Sequence, residues 1–210
     1  MTDTSRFISF EGGERMGKTT QISLLADRLR ACGHEVVVTR EPGGTPLGKV
    51  LREAIQQEKA DTHSHVAVRA EVLMYLADRA QHIETVVIPA LERGAYVITD
   101  RFEDSSVAYQ SAGRGLPADL IRQMSRWASQ DLRPDKVLIM DGSLDLSERR
   151  RGEQQKLDRM ESAGQEFHQR VRQAFLDIAK DDPSRYAVID ADGDRDEVHK
   201  RIVTAVGMQA

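Results

Sequence analysis

Short apolar runs and longer amphipathic stretches alternate along this chain. Phe7-Ile8-Ser9-Phe10, Val36-Val37-Val38, Tyr96-Val97-Ile98, Val137-Leu138-Ile139 and Tyr186 to Ile189 are brief and rich in β-branched or aromatic residues. Runs of this kind fit strands of a parallel sheet, buried on both faces. Between them, apolar residues recur at helical spacing. One set is Ile22, Leu25, Ala26 and Leu29, a second Val72, Leu73, Leu76 and Ala80, and a third Phe167, Val171, Ala174, Phe175 and Ile178. Gly33 supplies a stop for the first of these helices. The alternation predicts an α/β, three-layer architecture, a five-stranded parallel sheet flanked by helices. Such sheets bind ligands beyond the carboxyl ends of their strands. Neither a repeat nor a linker divides the pattern, so residues 1–210 read as one domain. Ser147 to Glu161 is a strongly charged insertion that reads as a mobile lid, at about 147–161.

The first strand runs into Gly12-Gly13-Glu14-Arg15-Met16-Gly17-Lys18-Thr19, which has the form G-x-x-x-x-G-K-[ST]. Strand, glycine loop and helix in that order form a phosphate cradle, the P-loop. Gly12 and Gly17 let the backbone N–H groups approach a polyphosphate closely. The helix that follows offers the partial positive charge of its N-terminus. Lys18 reaches toward the β- and γ-phosphates, and Thr19 is placed to ligate Mg²⁺.

Composition narrows the setting. A net charge of −4 argues against a general nucleic-acid binder. No apolar run is long enough to span a membrane, and the N-terminus lacks a signal-peptide pattern. The single cysteine, Cys32, has no internal disulfide partner and reads as a small packing residue. These features fit a cytoplasmic protein.

Four further clusters refine the chemistry. Arg40-Glu41-Pro42-Gly43-Gly44-Thr45 follows the second strand and puts a charged pair at the ligand edge, to meet a second substrate. Asp100-Arg101-Phe102 follows the third strand, with Asp100 placed for Mg²⁺ and Arg101 for a bidentate grip on phosphate. Tyr75 and Arg79 are four apart on a helix and share a face. Spacing alone makes them a half-buried tyrosine and a solvated arginine; beside a P-loop they could stack on and hydrogen-bond a nucleobase. Arg149-Arg150-Arg151, with Lys156 and Arg159, gives the lid segment a basic excess suited to neutralising a transferring phosphoryl group. His63 and His65 form H-x-H without further ligands nearby and read as surface residues.

Together these residues resemble the bacterial thymidylate kinase family. The match rests on Phe10-Glu11-Gly12-Gly13-Glu14 with Gly17-Lys18-Thr19-Thr20-Gln21, on Thr39 to Thr45, on Ala77-Asp78-Arg79-Ala80-Gln81-His82, and on Asp100-Arg101-Phe102 through Ser105, Ala108-Tyr109-Gln110 and Gly113-Arg114-Gly115. The resemblance implies a homodimeric P-loop enzyme that uses ATP and Mg²⁺ to convert dTMP to dTDP. By position it implies that Gly12 to Thr20 and Arg149, Arg150 and Arg151 meet ATP. Thr19, Asp100 and Glu41 would lie at the metal. Tyr75 would stack on thymine, Arg79 would bond a thymine carbonyl, and Ser106 and Gln110 would border the base. Tyr109 would crowd the sugar 2′ position, Glu14 would meet the 3′-hydroxyl, Arg40 and Arg101 would hold the acceptor phosphate, and Glu41 and Pro42 would also bind at the acceptor site. Lys18, Arg15, Arg101 and Arg151 are the implied catalytic charges.

Two departures from the bacterial pattern stand out, one of them a pair of residues. Arg15 and Met16 stand where relatives carry glycine and a small residue, and Phe102 stands where relatives show a hydroxyl or imidazole. Two other functions fit parts of the pattern. Another deoxynucleoside monophosphate kinase would share the fold, and a non-catalytic ATP-binding protein would keep Lys18 and the glycines. The fourth strand is followed by Asp141-Gly142-Ser143, not the guanine-reading Asn-Lys-x-Asp of a regulatory GTPase.

Overall fold

In the computed structural model, residues 6–56, 66–150 and 164–208 are described. Strands β1 (Phe7–Gly12), β2 (Val36–Arg40), β3 (Tyr96–Asp100), β4 (Lys136–Asp141) and β5 (Tyr186–Asp190) form one sheet in the order β2-β3-β1-β4-β5. Every neighbouring pair is parallel. The registers Phe10↔Asp100, Arg40↔Asp100 and Gly12↔Met140 bring the strands to a common carboxyl edge. After β1 the chain leaves to one side for β2, and after β3 it crosses to the other side for β4, so β1 and its loop lie at the topological switch point.

The helices are α1 (Lys18–Ala31), α2 (Pro46–Gln56), α3 (Val68–His82), α4 (Ile88–Glu92), α5 (Glu103–Ser106), α6 (Ala118–Ala128), α7 (Leu144–Arg149), α8 (Gln165–Asp181) and α9 (Arg195–Ala205). Wider π-helical turns at Ile83–Val87 and Val107–Gly113 extend α3 and α5. Side chains alternate across β1. Ile8 and Phe10 pack with Leu25 of α1, Ile202 of α9 and Leu138 and Met140 of β4. On another face Val137 and Ile139 meet Val72, Leu76, Val171 and Phe175 of α3 and α8. Asp194 starts α9 by accepting from the N–H groups of Asp196 and Glu197, while Glu197 accepts from Asp194 N–H. Of the described helices, none is long and apolar enough to cross a membrane.

Three expectations change. Burial on both faces holds for β1, β3 and most of β4, but β2 and β5 are the sheet edges and keep exposed residues such as Val38 and Val188. Leu73 is 58% exposed, because α3 turns Glu71, Val72, Leu76, Asp78, Arg79 and His82 inward instead. Cys32 is exposed, not packed. The histidines of H-x-H, His63 and His65, lie outside the described residues.

Candidate active site

A cavity of about 600 Å³ opens at the carboxyl edge of the sheet. One wall is the loop from Glu14 to Thr20. Gly17 sits at φ 84 as the N-cap of α1, a conformation available to glycine at little cost. Gly12 (φ 116) serves packing instead. A side chain there would strike the Met140 carbonyl, so its bare Cα permits the close approach of β1 to β4. Gly12 and Gly13 stand outside the cavity lining; their carbonyls hold the buried Lys18, whose Nζ donates to Gly12 O (3.2 Å) and Gly13 O (2.6 Å). Arg15 lines the cavity with φ 61, a left-handed backbone that non-glycine residues seldom adopt away from functional sites. Met16 is buried in the core beneath the loop. Thr19 and Thr20 stand exposed at the cavity rim.

The facing wall is built from the ends of β2 and β3 and from α3 and α5. Arg101 also has a left-handed backbone (φ 75). Its Nη1 donates to Gly12 O (3.0 Å) and Ser105 Oγ (3.0 Å), and its Nη2 to Glu14 Oε1 (2.5 Å) and Tyr109 Oη (3.2 Å). Tyr109 Oη donates in turn to Glu14 Oε1 at 3.1 Å. Deeper in, Arg79 is 1% exposed, and each of its nitrogens makes one hydrogen bond. Its Nε donates to Glu41 Oε2 (2.8 Å), Nη1 to Ser125 Oγ (3.0 Å) and Nη2 to Ser106 Oγ (3.2 Å), and its Cζ lies 5.0 Å from the centre of the Phe102 ring. His82 Nδ1 donates to the other oxygen of Glu41 (2.8 Å), and its Nε2 meets Thr39 Oγ1 at 2.7 Å. Gln110 Nε2 donates to the buried Glu71 (2.9 Å). The Glu41–Pro42 peptide is cis, and Gly43 N–H donates to Asp78 Oδ1 at 3.1 Å.

Charge is balanced tightly across the cavity. Burial alone would raise the Glu14 carboxyl, but the Arg101 guanidinium and then Lys18 bring it down to about 2. Burial and the neighbouring Arg101 lower the Lys18 ammonium to about 8. Burial opposes the charge on Glu41 as well, and Arg79 overcomes it, so Glu41 stays below the usual carboxylate range. Burial and then Glu41 raise Asp78 to about 6. Asp100 Oδ1 is buried without a hydrogen-bond partner, and Asp100 and Thr19 both line the main cavity and a neighbouring groove. An orphaned carboxylate oxygen sharing a cavity with an exposed threonine and a phosphate loop fits a Mg²⁺ that keeps waters and phosphate oxygens as its other ligands.

The structure brings Glu14, Arg15, Lys18, Thr19, Thr20, Arg40, Glu41, Pro42, Tyr75, Arg79, Asp100, Arg101, Ser106, Tyr109, Gln110 and Arg150 to one cavity. Arg79, solvated on spacing alone, is buried. Glu41, anticipated at the metal, instead gives both oxygens to Arg79 and His82. Arg149 stands outside the cavity, 3.8 Å from Asp192. Arg150 bridges the loop and the β5–α9 turn by donating to Arg15 O (3.3 Å) and Ala191 O (2.8 Å). Arg151, Lys156, Asp158, Arg159 and most of the lid lie outside the described residues. Phe102 packs against Phe7 in the core and under Arg79. Arg52, Gln56 and Ser125 belong to the site although sequence reasoning does not single them out, Ser125 through its bond to Arg79; Ser105, named in the sequence only as part of a motif, supports Arg101. Arg52 and Gln56 share a helical face by their i, i+4 spacing, and Ser125 interrupts the apolar stripe of α6 between Ile121 and Ala128. Those two signals are legible in the sequence.

Comparison with known proteins gives this geometry its family. The family model for thymidylate kinase matches residues 10–202. The chain belongs to the thymidylate kinase family. A thymidylate kinase from Clavibacter michiganensis is 50% identical over 204 residues, covering 96% of this chain and 94% of that protein. One from Deinococcus radiodurans is 46% identical, covering 95% of each. A solved thymidylate kinase from Ehrlichia chaffeensis superposes with a TM-score of 0.78 at 36% identity, covering 97% of this chain and 99% of that one. Within the thymidylate kinase family the P-loop sheet is thus accounted for end to end, and both walls of the cavity fall inside the matched residues.

Proposed function

We propose that this chain transfers the γ-phosphoryl group of ATP to dTMP, giving ADP and dTDP, in a single domain spanning residues 1–210. The observation that carries the reading is the shared cavity: a phosphate loop on one wall faces a nucleotide-sized polar wall on the other. Gly13 to Thr20 cradle the ATP phosphates, and Lys18 exchanges the Gly12 and Gly13 carbonyls for phosphate oxygens. Thr19 and Asp100 hold Mg²⁺, with Glu41 set back as the residue that orients Arg79. When bound, Mg²⁺ supplies neutralising charge at the β- and γ-phosphates.

On the acceptor wall, Tyr75 stacks on thymine and Arg79 presents its remaining N–H groups to a base carbonyl. Ser106 and Gln110 border the base edge. Tyr109 crowds the 2′ position, Glu14 meets the 3′-hydroxyl, and Arg40, Pro42 and Arg101 enclose the phosphate. An acceptor phosphate is already anionic, so it needs no strong general base; what the site must do is hold two anions in line. Arg15 and Arg150 approach the transferring group from the loop side of the cavity, and the lid arginines Arg149 and Arg151 add charge for the ATP phosphates, with Arg151 a further catalytic charge. Incubating the protein with ATP, Mg²⁺ and dTMP should produce dTDP and ADP in equal amounts, and chelating the metal should stop it. ADP formed without dTDP would reject the reading.

We also infer that the enzyme is a cytoplasmic homodimer. Helices α2, α3 and α6 pack beside one another and carry exposed apolar residues, among them Val50, Leu73, Leu120 and Trp127, which is 82% exposed. Sedimentation velocity gives a species of twice the chain mass on this account; a monomer at micromolar concentration would contradict it.

A further inference from the structure

Arg101 stands in a backbone conformation that a side chain disfavours, with its guanidinium bonded to Gly12 and Glu14 of the phosphate loop. Something must hold it there. Before it, Arg101 N–H donates to Phe10 O at 2.9 Å, and its own carbonyl accepts from Thr99 Oγ1 at 2.9 Å. After it, Phe102 N–H donates to Glu11 Oε1 at 2.7 Å. The side chain is held by Ser105, whose Oγ accepts from Arg101 Nη1 (3.0 Å) and lies 2.5 Å from Glu11 Oε2. One carboxyl group thus grips the peptide that follows Arg101 with one oxygen and the hydroxyl that supports its guanidinium with the other. Glu11 is wholly buried and sits behind the cavity wall.

We propose that Glu11, acting through Ser105, is a positioning residue that fixes Arg101 for the acceptor phosphate. The arrangement works in either protonation state. Ionised, Glu11 accepts from the Ser105 hydroxyl; protonated, it donates to that oxygen. In both cases the Ser105 oxygen keeps a lone pair for Arg101. Burial and the nearby Asp104 carboxylate raise Glu11 to about 8, so the protonated form is substantially present at neutral pH. The geometry therefore depends on the two hydrogen bonds and tolerates a neutral amide in place of the carboxyl. Glu11 and Ser105 reach the loop only through Arg101, which donates to Gly12 O and Glu14 Oε1, so the larger effect falls on the acceptor.

This inference rests on the reading of Arg101 as a dTMP-phosphate ligand, and the test separates the two. Steady-state kinetics are measured on Glu11→Ala, Glu11→Gln, Ser105→Ala and Arg101→Ala, with each substrate varied in turn. Loss of one such hydrogen bond corresponds to about a tenfold effect. Glu11→Ala and Ser105→Ala should each raise KM for dTMP by about tenfold while KM for ATP stays within about twofold. Glu11→Gln, which keeps both contacts, should restore KM for dTMP to near the unmodified value. If Glu11→Ala does not fold, Ser105→Ala and Glu11→Gln still decide. An unchanged KM for dTMP in Ser105→Ala, an equal rise in KM for ATP, or a Glu11→Gln as impaired as Glu11→Ala would overturn the inference. An unchanged KM for dTMP in Arg101→Ala would instead overturn the acceptor-site reading.

Discussion

The two walls of the cavity are built on different principles. On the acceptor wall, buried side chains satisfy one another: Arg79 with Glu41, Ser106 and Ser125, and Arg101 with Glu14, Tyr109 and Ser105. On the donor wall, Lys18 is turned onto the carbonyls of its own loop, Thr19 and Thr20 are exposed, and Arg150 bridges two backbone oxygens. The base-facing Arg79 is therefore pre-oriented by the fold, whereas Lys18 and Arg150 on the donor wall, and Arg101 where its phosphate meets the loop, must change partners when phosphates arrive. Preorganised polar groups act without reorganisation at the moment of reaction. Substrate choice accordingly belongs mainly to the acceptor wall and charge neutralisation mainly to the donor wall.

Substitutions on each wall can challenge this contrast. Lys18→Met should have the greatest effect, lowering kcat by on the order of 10³-fold. It should leave thermal stability nearly unchanged, because burial already disfavours that ammonium. Arg79→Met should behave differently. Removing the guanidinium leaves Glu41 buried with His82 as its remaining partner, which costs about 3–5 kcal/mol of folding stability and weakens dTMP binding. Equal stability loss in the two variants, measured by chemical denaturation, would erase the distinction between the walls. Arg15→Gly should lower kcat by on the order of a hundredfold, as loss of a transition-state arginine does, with KM for dTMP little changed. An unchanged kcat would remove Arg15 from the chemistry.

A smaller effect concerns the scaffold behind the acceptor wall. The folded state raises the Asp78 carboxyl to about 6 from an ordinary value of 3.8. A carboxyl raised on folding favours the folded state while protonated, so its contribution is full below the ordinary value and is lost as pH rises through about 6. Asp78→Asn keeps an acceptor for Gly43 N–H and cannot ionise. Its melting temperature should exceed that of the unmodified protein at pH 7 and converge with it near pH 4, by a few degrees overall. Parallel profiles from pH 4 to pH 7 would refute this role for Asp78.

Much of this organisation can be read from the sequence, for identifiable reasons. Strands announce themselves by short β-branched runs, and the phosphate loop by glycines and a lysine at set intervals, because both are local. The doubly wound order follows from strand–helix alternation. The acceptor wall is visible as residue types but not as a network. Nothing local tells that Glu41 meets Arg79 and His82 across more than thirty residues, or that both its oxygens are taken. Gly12 reads as a phosphate-loop glycine in one dimension and as a packing glycine against Met140 in three. Leu73 reads as core until the inward face of α3 proves to be occupied by polar residues. Glu11 lies in the strand, where a buried carboxyl has no sequence signature, and its partners Phe102 and Ser105 are some ninety residues away.

Donor and acceptor specificity can be compared in a single assay. kcat/KM is determined for dTMP, dUMP, dCMP, dGMP and ribothymidine monophosphate with ATP, and then for ATP, GTP, CTP and UTP with dTMP. If the acceptor wall sets substrate choice, dTMP exceeds every other acceptor, the ribose form is disfavoured by Tyr109, and the spread among donors is much narrower than the spread among acceptors. Phosphorylation of dUMP, dCMP or dGMP as efficiently as dTMP would refute that division between the walls.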